Sequence, residues 1–142
     1  MYLLLPKILQ HQLAFPMIRI LIIDDDKTIR ENTAELLELE GYSTFTASNG
    51  KKGLEIIRLH LPDLILCDFR MPEMDGFAVL KHLGEHPDLK RIPFMFFSAK
   101  SEKASVKAGI DAGADGYLTK PFELEDLLAS IEKCLNSKRL ST

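Results

Sequence analysis

Residues 18–30, IRILIIDDDKTIR, join an apolar run to three adjacent carboxylates, Asp24, Asp25 and Asp26. Two unit charges about 4 Å apart near a protein surface repel by roughly 4 kcal/mol at an effective dielectric of 20. A single aspartate after a strand is explained as a helix cap or a solvated turn residue. Three in a row indicate a bound cation, a shared proton, or both.

The same alternation of a short apolar run and an amphipathic stretch continues along the chain. The apolar runs predict five strands, at residues 18–23, 43–47, 64–67, 93–97 and 116–118. A helix is predicted after each strand, and strict alternation of this kind predicts parallel strands joined by right-handed crossovers. The near-continuous apolar runs RILII, LILC and FMFF indicate strands covered on both faces. The predicted fold class is therefore α/β, a doubly wound five-stranded parallel sheet sandwiched by helices.

The first and last helices have the clearest boundaries. The first is predicted over about 27–40, with Asp26 as its N-cap and Gly41 as its stop. The last is predicted over about 123–136, where leucine and isoleucine recur at a helical period. The predicted core stripe of the first helix is Ile29, Thr33, Leu36, Leu37 and Glu40.

Composition indicates one globular domain. The chain has 142 residues, of which 46% are hydrophobic and 27% charged, enough for a buried core. A net charge of -3 provides no broad basic surface, so direct nucleic-acid binding is not expected. Cys67 and Cys134 lack zinc-ligand spacing and are interpreted as reduced thiols of a cytoplasmic protein.

The two ends of the chain are expected to lie outside the core. Residues 1–16 are apolar, but Pro6 and their short length argue against a membrane span, and no cleavage site supports a secretory signal. We expect a non-core N-terminal extension, with a short amphipathic docking segment as the alternative. The domain is then predicted to cover residues 17–137, and residues 138–142 form a C-terminal tail.

Polar residues follow the predicted strands at one edge of the sheet. The carboxyl ends of parallel strands form the ligand-binding crevice of such folds. These residues are Asp24, Asp25 and Asp26 after the first strand, Asp68 after the third, Ser98 after the fourth and Lys120 after the fifth. Clustered carboxylates suit Mg²⁺, while a lysine and a serine complement phosphoryl oxygens. The expected chemistry is phosphoryl transfer to an aspartate, giving an aspartyl phosphate.

Four segments resemble the receiver domains of two-component response regulators, including the chemotaxis type. They are LIIDDD, DLILCDFRMPEMDG, FFSAK and DAGADGYLTKPF, in the order and near the spacing of that family. The resemblance runs from about residue 18 to residue 135. It implies a flavodoxin-like sheet with strand order 2-1-3-4-5 and five helices, acting as a phosphorelay switch and not as a turnover enzyme.

The resemblance also implies roles for individual residues. Asp68 would accept a phosphoryl group from a phosphohistidine on a sensor histidine kinase or a histidine phosphotransfer protein. Asp25, Asp68 and the backbone carbonyl of Arg70 would bind Mg²⁺ directly, and Asp24 would act through water. The phosphoryl oxygens would be held by Ser98 Oγ, the Ala99 amide and Lys120.

Further features are implied for the switch and its lifetime. The Lys120–Pro121 bond would be cis. Phosphorylation would move Ser98 and reorient Tyr117, altering the face of the fourth helix, fifth strand and fifth helix. Arg70 and Lys100, two residues after the phosphoacceptor and the hydroxyl, would tune dephosphorylation. The partner would be an output protein or a missing effector domain, and a phosphorylation-dependent dimer is an expected assembly.

Two alternatives belong to other classes. The segment DDDKT also fits a haloacid-dehalogenase-type phosphatase with Asp24 as nucleophile, but little chain remains after Lys120 for the further acidic motif that family needs. The second alternative is an unphosphorylated interaction module on the same fold. Hydrolysis of a generic phosphate ester distinguishes the first from a receiver, and Mg²⁺ binding distinguishes the second.

Overall fold

The computed structural model describes residues 17–99 and 103–141. The predicted extension at residues 1–16 and the predicted tuning residue Lys100 lie outside this part of the chain. Among the described residues, no helix combines the length and apolar character needed to cross a membrane.

Five strands and five helices alternate through the described residues. In chain order they are β1 Arg19–Ile23, α1 Lys27–Leu39, β2 Ser43–Ala47, α2 Gly50–His60, β3 Leu64–Asp68, α3 Gly76–Gly84, β4 Phe94–Ala99, α4 Lys103–Asp111, β5 Gly116–Lys120 and α5 Leu124–Ser141. The strands form one parallel sheet in the order β2-β1-β3-β4-β5. The predicted doubly wound fold is therefore confirmed.

Two apolar layers pack on the faces of the sheet. One face holds α2, α3 and α4 against side chains such as Ile23, Ile65 and Phe96. The other holds α1 and α5 against Ile22, Leu66 and their neighbours. Because the side chains of a strand alternate between faces, β1, β3 and β4 are buried on both sides, as their apolar sequences predict.

Helix α1 begins where the sequence predicts. Asp26 is its N-cap, and Asp26 Oδ1 accepts a hydrogen bond from the Ile29 N–H at 3.0 Å. The predicted core stripe is wrong at two positions, since Leu36 is 36% exposed and Glu40 is an exposed C-cap residue, whereas Ala34 is buried beside Leu37. The helix face turned to the sheet therefore lies slightly to one side of the predicted one.

Several elements extend beyond their predicted ends. Helix α5 continues to Ser141, past the expected stop at residue 136, because no glycine or proline interrupts it there. Strands β3, β4 and β5 end at Asp68, Ala99 and Lys120. Backbone pairing continues through these polar residues, with Ala99 opposite Lys120, and so fixes their positions at the rim of the sheet.

Candidate functional site

The carboxyl ends of β1, β3, β4 and β5 meet around an open cleft of about 530 Å³. Its lining consists of Asp25, Asp68, Arg70, Met71, Pro72, Ala99 and Lys120. The parallel register places these strand ends side by side, so residues far apart in sequence converge on one rim. The cleft therefore lies where the sequence predicts a ligand site.

Asp24 lies inside this rim, and its N–H, its carbonyl and both of its carboxylate oxygens form hydrogen bonds. The residue is fully buried, and its N–H donates to the Ala47 carbonyl at 3.1 Å. Its carboxylate accepts hydrogen bonds from the Asp26 N–H at 2.9 Å and from Lys120 Nζ at 3.2 Å. Its backbone carbonyl accepts a further bond from Arg30 Nη1 at 2.8 Å. These four contacts fix the loop that carries the acidic residues.

Lys120 is the cation that the site itself supplies. Its ammonium donates to Asp68 Oδ1 at 3.0 Å and stands 5.6 Å from the centre of the Phe97 ring. Burial lowers the pKa of Lys120, but the hydrogen bond to Asp68 and the charges of Asp68 and Asp24 outweigh it, so the pKa is raised. The ammonium therefore stays charged and bridges the two buried carboxylates.

Asp68 is difficult to ionise in the absence of a further cation. Burial raises its pKa from 3.8 to about 7, against the lowering effect of the Lys120 hydrogen bond and with a further rise from the Asp24 charge. One lysine thus does not offset the combined effect of burial and the Asp24 charge on the pKa of Asp68. The site favours an additional cation or a proton.

Three carboxylates are arranged so that they could hold that cation. Oxygen atoms of Asp24, Asp25 and Asp68 all lie within 4.8 Å of one another. Asp25 is exposed while the other two are buried, so the group is reached from the solvent side. Hard oxygen donors without a thiolate or imidazole suit Mg²⁺ or Ca²⁺ and disfavour softer metals. The donor set therefore fits the magnesium ion that the sequence predicts.

The other predicted site residues are distributed along β4 and β5. Ser98 is 2% exposed within β4, directly before Ala99 in the cleft lining. The Lys120–Pro121 peptide bond is cis. Tyr117 is not brought into the cleft; it lies three residues before Lys120 on β5 with 52% of its surface exposed.

Arg30 is a site residue that the sequence pattern does not predict. It belongs to α1 and reaches the site through its bond to the Asp24 carbonyl. An arginine six residues after an aspartate has no distinctive spacing, and the contact depends on the turn between β1 and α1. Met71 and Pro72 also line the cleft, beyond the turn and core role that the sequence suggests.

A doubly wound sheet with three carboxylates and a lysine at its carboxyl rim is the arrangement expected of a receiver-type α/β domain. The model of the response regulator receiver domain family matches residues 20–132 of this chain. The chain therefore belongs to the response regulator receiver domain family of two-component signalling.

Individual relatives agree with this assignment. Response regulator MprA of Mycolicibacterium vanbaalenii is 39% identical over 118 residues, which are 83% of this chain and 50% of that protein. A putative response regulator from Chloroflexus aurantiacus is 34% identical with a TM-score of 0.81, covering 85% of this chain and 99% of that one. Chemotaxis protein CheY4 of Vibrio cholerae is 29% identical with a TM-score of 0.79, covering 84% and 99%. The chain spans about half the length of the curated relatives it matches.

Proposed function

We propose that Asp68 accepts a phosphoryl group from a phosphohistidine on a sensor histidine kinase or a histidine phosphotransfer protein. The observation that carries this proposal is the Asp68 carboxylate at the end of β3, 3.0 Å from Lys120 Nζ in a cleft open to solvent. An Asp68 oxygen forms a bond to phosphorus while the bond from phosphorus to the imidazole nitrogen breaks. The histidine ring keeps the electron pair of the broken bond.

The proposed cofactor is Mg²⁺, held by Asp25, Asp68 and the backbone carbonyl of Arg70. When bound, the ion neutralises charge on the phosphoryl oxygens during transfer. Asp24 acts on the ion through water. In support, both Asp24 carboxylate oxygens already accept hydrogen bonds, one from the Asp26 N–H and one from Lys120.

The phosphoryl oxygens are held by Ser98 Oγ, the Ala99 amide and Lys120. Lys120 already contacts the acceptor carboxylate, so its ammonium needs only a small movement to reach a phosphoryl oxygen on Asp68. The new dianion draws Ser98 inward and Tyr117 reorients, which alters the face of α4, β5 and α5. The exposure of Tyr117 supports a role at a surface that a partner contacts.

The protein acts as a switch that catalyses only its own phosphorylation and dephosphorylation. The phosphatase alternative needs Asp24 as nucleophile, yet Asp24 is fully buried and its carboxylate is engaged at both oxygens. The output is an effector domain or a separate protein, and phosphorylation promotes a dimer. This chain itself makes no direct contact with nucleic acid in the proposed pathway.

Labelling with acetyl phosphate and Mg²⁺ tests the assignment. We expect one acid-stable, base-labile phosphoryl group per chain, absent from Asp68→Asn. Asp88→Asn is the matched control, because it makes the same change at an exposed loop position and leaves labelling intact. Undiminished labelling of Asp68→Asn, or sustained turnover of a generic phosphate ester, would contradict the proposal.

A further inference from the structure

A second cleft lies beside the end of β2, between α1 and α2. Its volume is about 400 Å³, and it is lined by Arg30, Thr46, Ala47, Ser48, Lys52, Glu55 and Ile56. None of these residues lines the cleft at Asp68. The Asp24 N–H bonds the carbonyl of Ala47, a residue that lines this second cleft.

Two cations in this second cleft donate hydrogen bonds to neighbouring oxygen atoms of the protein. Arg30 is half-buried, and its Nη1 donates to the Asp24 carbonyl at 2.8 Å. Lys52 Nζ donates to Ser48 Oγ at 3.4 Å. A guanidinium has five N–H donors and an ammonium three, so these bonds leave donors for a ligand. Because Arg30 is already oriented by its bond to Asp24, a ligand orders this side chain at a smaller cost in entropy, whereas the exposed Lys52 has only the long bond to Ser48.

The other lining groups restrict the chemistry of the ligand. The hydroxyls of Thr46 and Ser48 add neutral donors beside the cations. The Glu55 carboxylate offsets one of the two positive charges and repels any anionic oxygen that faces it, but it would accept a hydrogen bond from a ligand hydroxyl. Arginine and lysine beside hydroxyl groups form a donor set suited to a tetrahedral oxyanion.

We propose that this cleft binds a phosphate oxyanion, either as inorganic phosphate or as a small phosphomonoester. Arg30 and Lys52 bind its charged oxygens, and the Thr46 and Ser48 hydroxyls complete its hydrogen bonds. Arg30 is shared with the acidic loop through its bond to the Asp24 carbonyl, but Asp68 does not line this cleft and phosphate binding here needs no phosphorylation of Asp68. Either assignment can therefore fail without the other, and the Lys52 variant tests this cleft without touching the acidic loop.

The test is a titration of the full chain, ¹⁵N-labelled and free of Mg²⁺, with sodium phosphate followed by amide chemical shifts. Sodium chloride at matched ionic strength is the reference, because general screening moves shifts in both salts. We expect saturable shifts at the amides of Thr46, Ser48 and Lys52 with phosphate only. Shifts confined to Ser98, Ala99 and Lys120, or identical responses to both salts, would overturn the proposal.

Variants of the lining residues complete the test. Losing a charge-assisted hydrogen bond is expected to weaken phosphate binding about tenfold or more for Arg30→Gln and Lys52→Ala. Lys51→Ala removes the same charge one residue from Lys52 and should bind phosphate as the wild type does. Arg30→Lys keeps the charge and gives an intermediate affinity, which keeps the test valid if Arg30→Gln does not fold.

A second arm with glycerol 3-phosphate distinguishes the two sources. If glycerol 3-phosphate binds more tightly than inorganic phosphate, and Glu55→Gln abolishes this difference, the ligand of the cleft is a hydroxylated phosphomonoester. Equal binding of the two ligands, unaffected by Glu55→Gln, assigns phosphate itself. Unchanged affinity for phosphate in both Arg30→Gln and Lys52→Ala would remove the site.

Discussion

The Lys120 ammonium lies 3.0 Å from Asp68 Oδ1 and thereby ties the last residue of β5 to the last residue of β3. The same nitrogen lies 3.2 Å from Asp24 Oδ2, so one positive charge serves two buried carboxylates. Asp25 adds a third carboxylate within 4.8 Å. This imbalance accounts for Asp24 and Asp25 in a site that favours a further cation or a proton, whereas the third adjacent aspartate, Asp26, caps α1.

Magnesium binding should therefore depend on pH near neutrality. Burial and the Asp24 charge raise the pKa of Asp68 to about 7, so below pH 7 the metal-free site holds a proton that Mg²⁺ must displace. We expect the apparent dissociation constant to weaken by up to about tenfold per pH unit below 7 and to level off above about pH 8. Calorimetric titration with Mg²⁺ from acidic to basic pH measures this dependence.

The control for that experiment is Asp68→Asn, which has no titrating group at this position. Its residual Mg²⁺ affinity should be weaker and should lack the step near pH 7. A wild-type affinity that stays constant through this pH range would show that Asp68 is already ionised in the metal-free protein.

The same carboxylate should limit stability in the absence of metal. The pKa of Asp68 is raised from 3.8 to about 7 in the folded protein, so the stabilisation it contributes is complete below about pH 4 and is lost as the pH rises towards 7. Asp68→Asn does not ionise. Its unfolding free energy should exceed that of the wild type by roughly 2 kcal/mol above pH 7, after allowance for solvent screening, and the difference should shrink towards pH 4.

Urea denaturation of both proteins in a chelator, at several pH values, measures this difference. Added Mg²⁺ should then stabilise the wild type by mass action and affect Asp68→Asn much less. A variant that is less stable than the wild type at every pH would contradict the expectation.

Two helical glycines should respond in opposite directions to alanine. A Cβ at Gly109 in α4 would overlap the Phe96 ring, which is fully buried against Phe94 and Phe69. Gly109→Ala should therefore destabilise the protein by about 1–3 kcal/mol through overpacking. A Cβ at Gly84 in α3 would meet nothing within 4 Å, so Gly84→Ala should stabilise by about 0.5–1 kcal/mol. Thermal unfolding of the two variants measures both changes in stability. Stabilisation by Gly109→Ala as well as by Gly84→Ala would mean that the Phe96 ring can move aside.

The order of elements was predictable because burial is encoded in local apolar runs. RILII, LILC and FMFF lie on strands covered on both faces, and Asp26 caps α1 as its position before a helical pattern indicates. The strand ends were predicted less well. Asp68, Ser98 and Lys120 are polar and look like loop residues, yet backbone pairing does not depend on side-chain polarity and continues through them.

The internal contacts of the site were not predictable from the pattern. The sequence does not indicate which of the three adjacent aspartates is buried; Asp24 is fully buried, whereas Asp25 and Asp26 are exposed. The difference arises because Asp24 follows directly from the buried strand β1, while the chain turns into α1 at Asp26. The contribution of Arg30 depends on that same turn and has no local sequence signal.

The persistence of the phosphorylated state depends on the cations at the mouth of the site. Arg70 is exposed and lines the cleft with Asp68, and Lys100 follows Ala99 in the sequence outside the described residues. We propose that these cations pair with the phosphoryl oxygens and occupy the path of an attacking water, which slows hydrolysis of the aspartyl phosphate. The alternative is that both side chains extend into solvent and exert only weak, salt-screened attraction.

Dephosphorylation rates of Arg70→Asn, Lys100→Glu and the double variant should exceed that of the wild type in Mg²⁺, with the double variant fastest. The small polar side chain of asparagine and the acidic side chain of glutamate leave room for the water or help to orient it. Decay is followed after acetyl phosphate is removed, at two salt concentrations. Because the effect arises from paired charges close to the phosphoryl group, the wild-type dephosphorylation rate should rise with salt, and the rate of the double variant should respond less.

The control is Arg91→Asn, at an exposed position before β4, whose phosphorylated form should decay as the wild type does. Equal or slower decay in the Arg70 and Lys100 variants would show that these cations do not slow hydrolysis of the aspartyl phosphate.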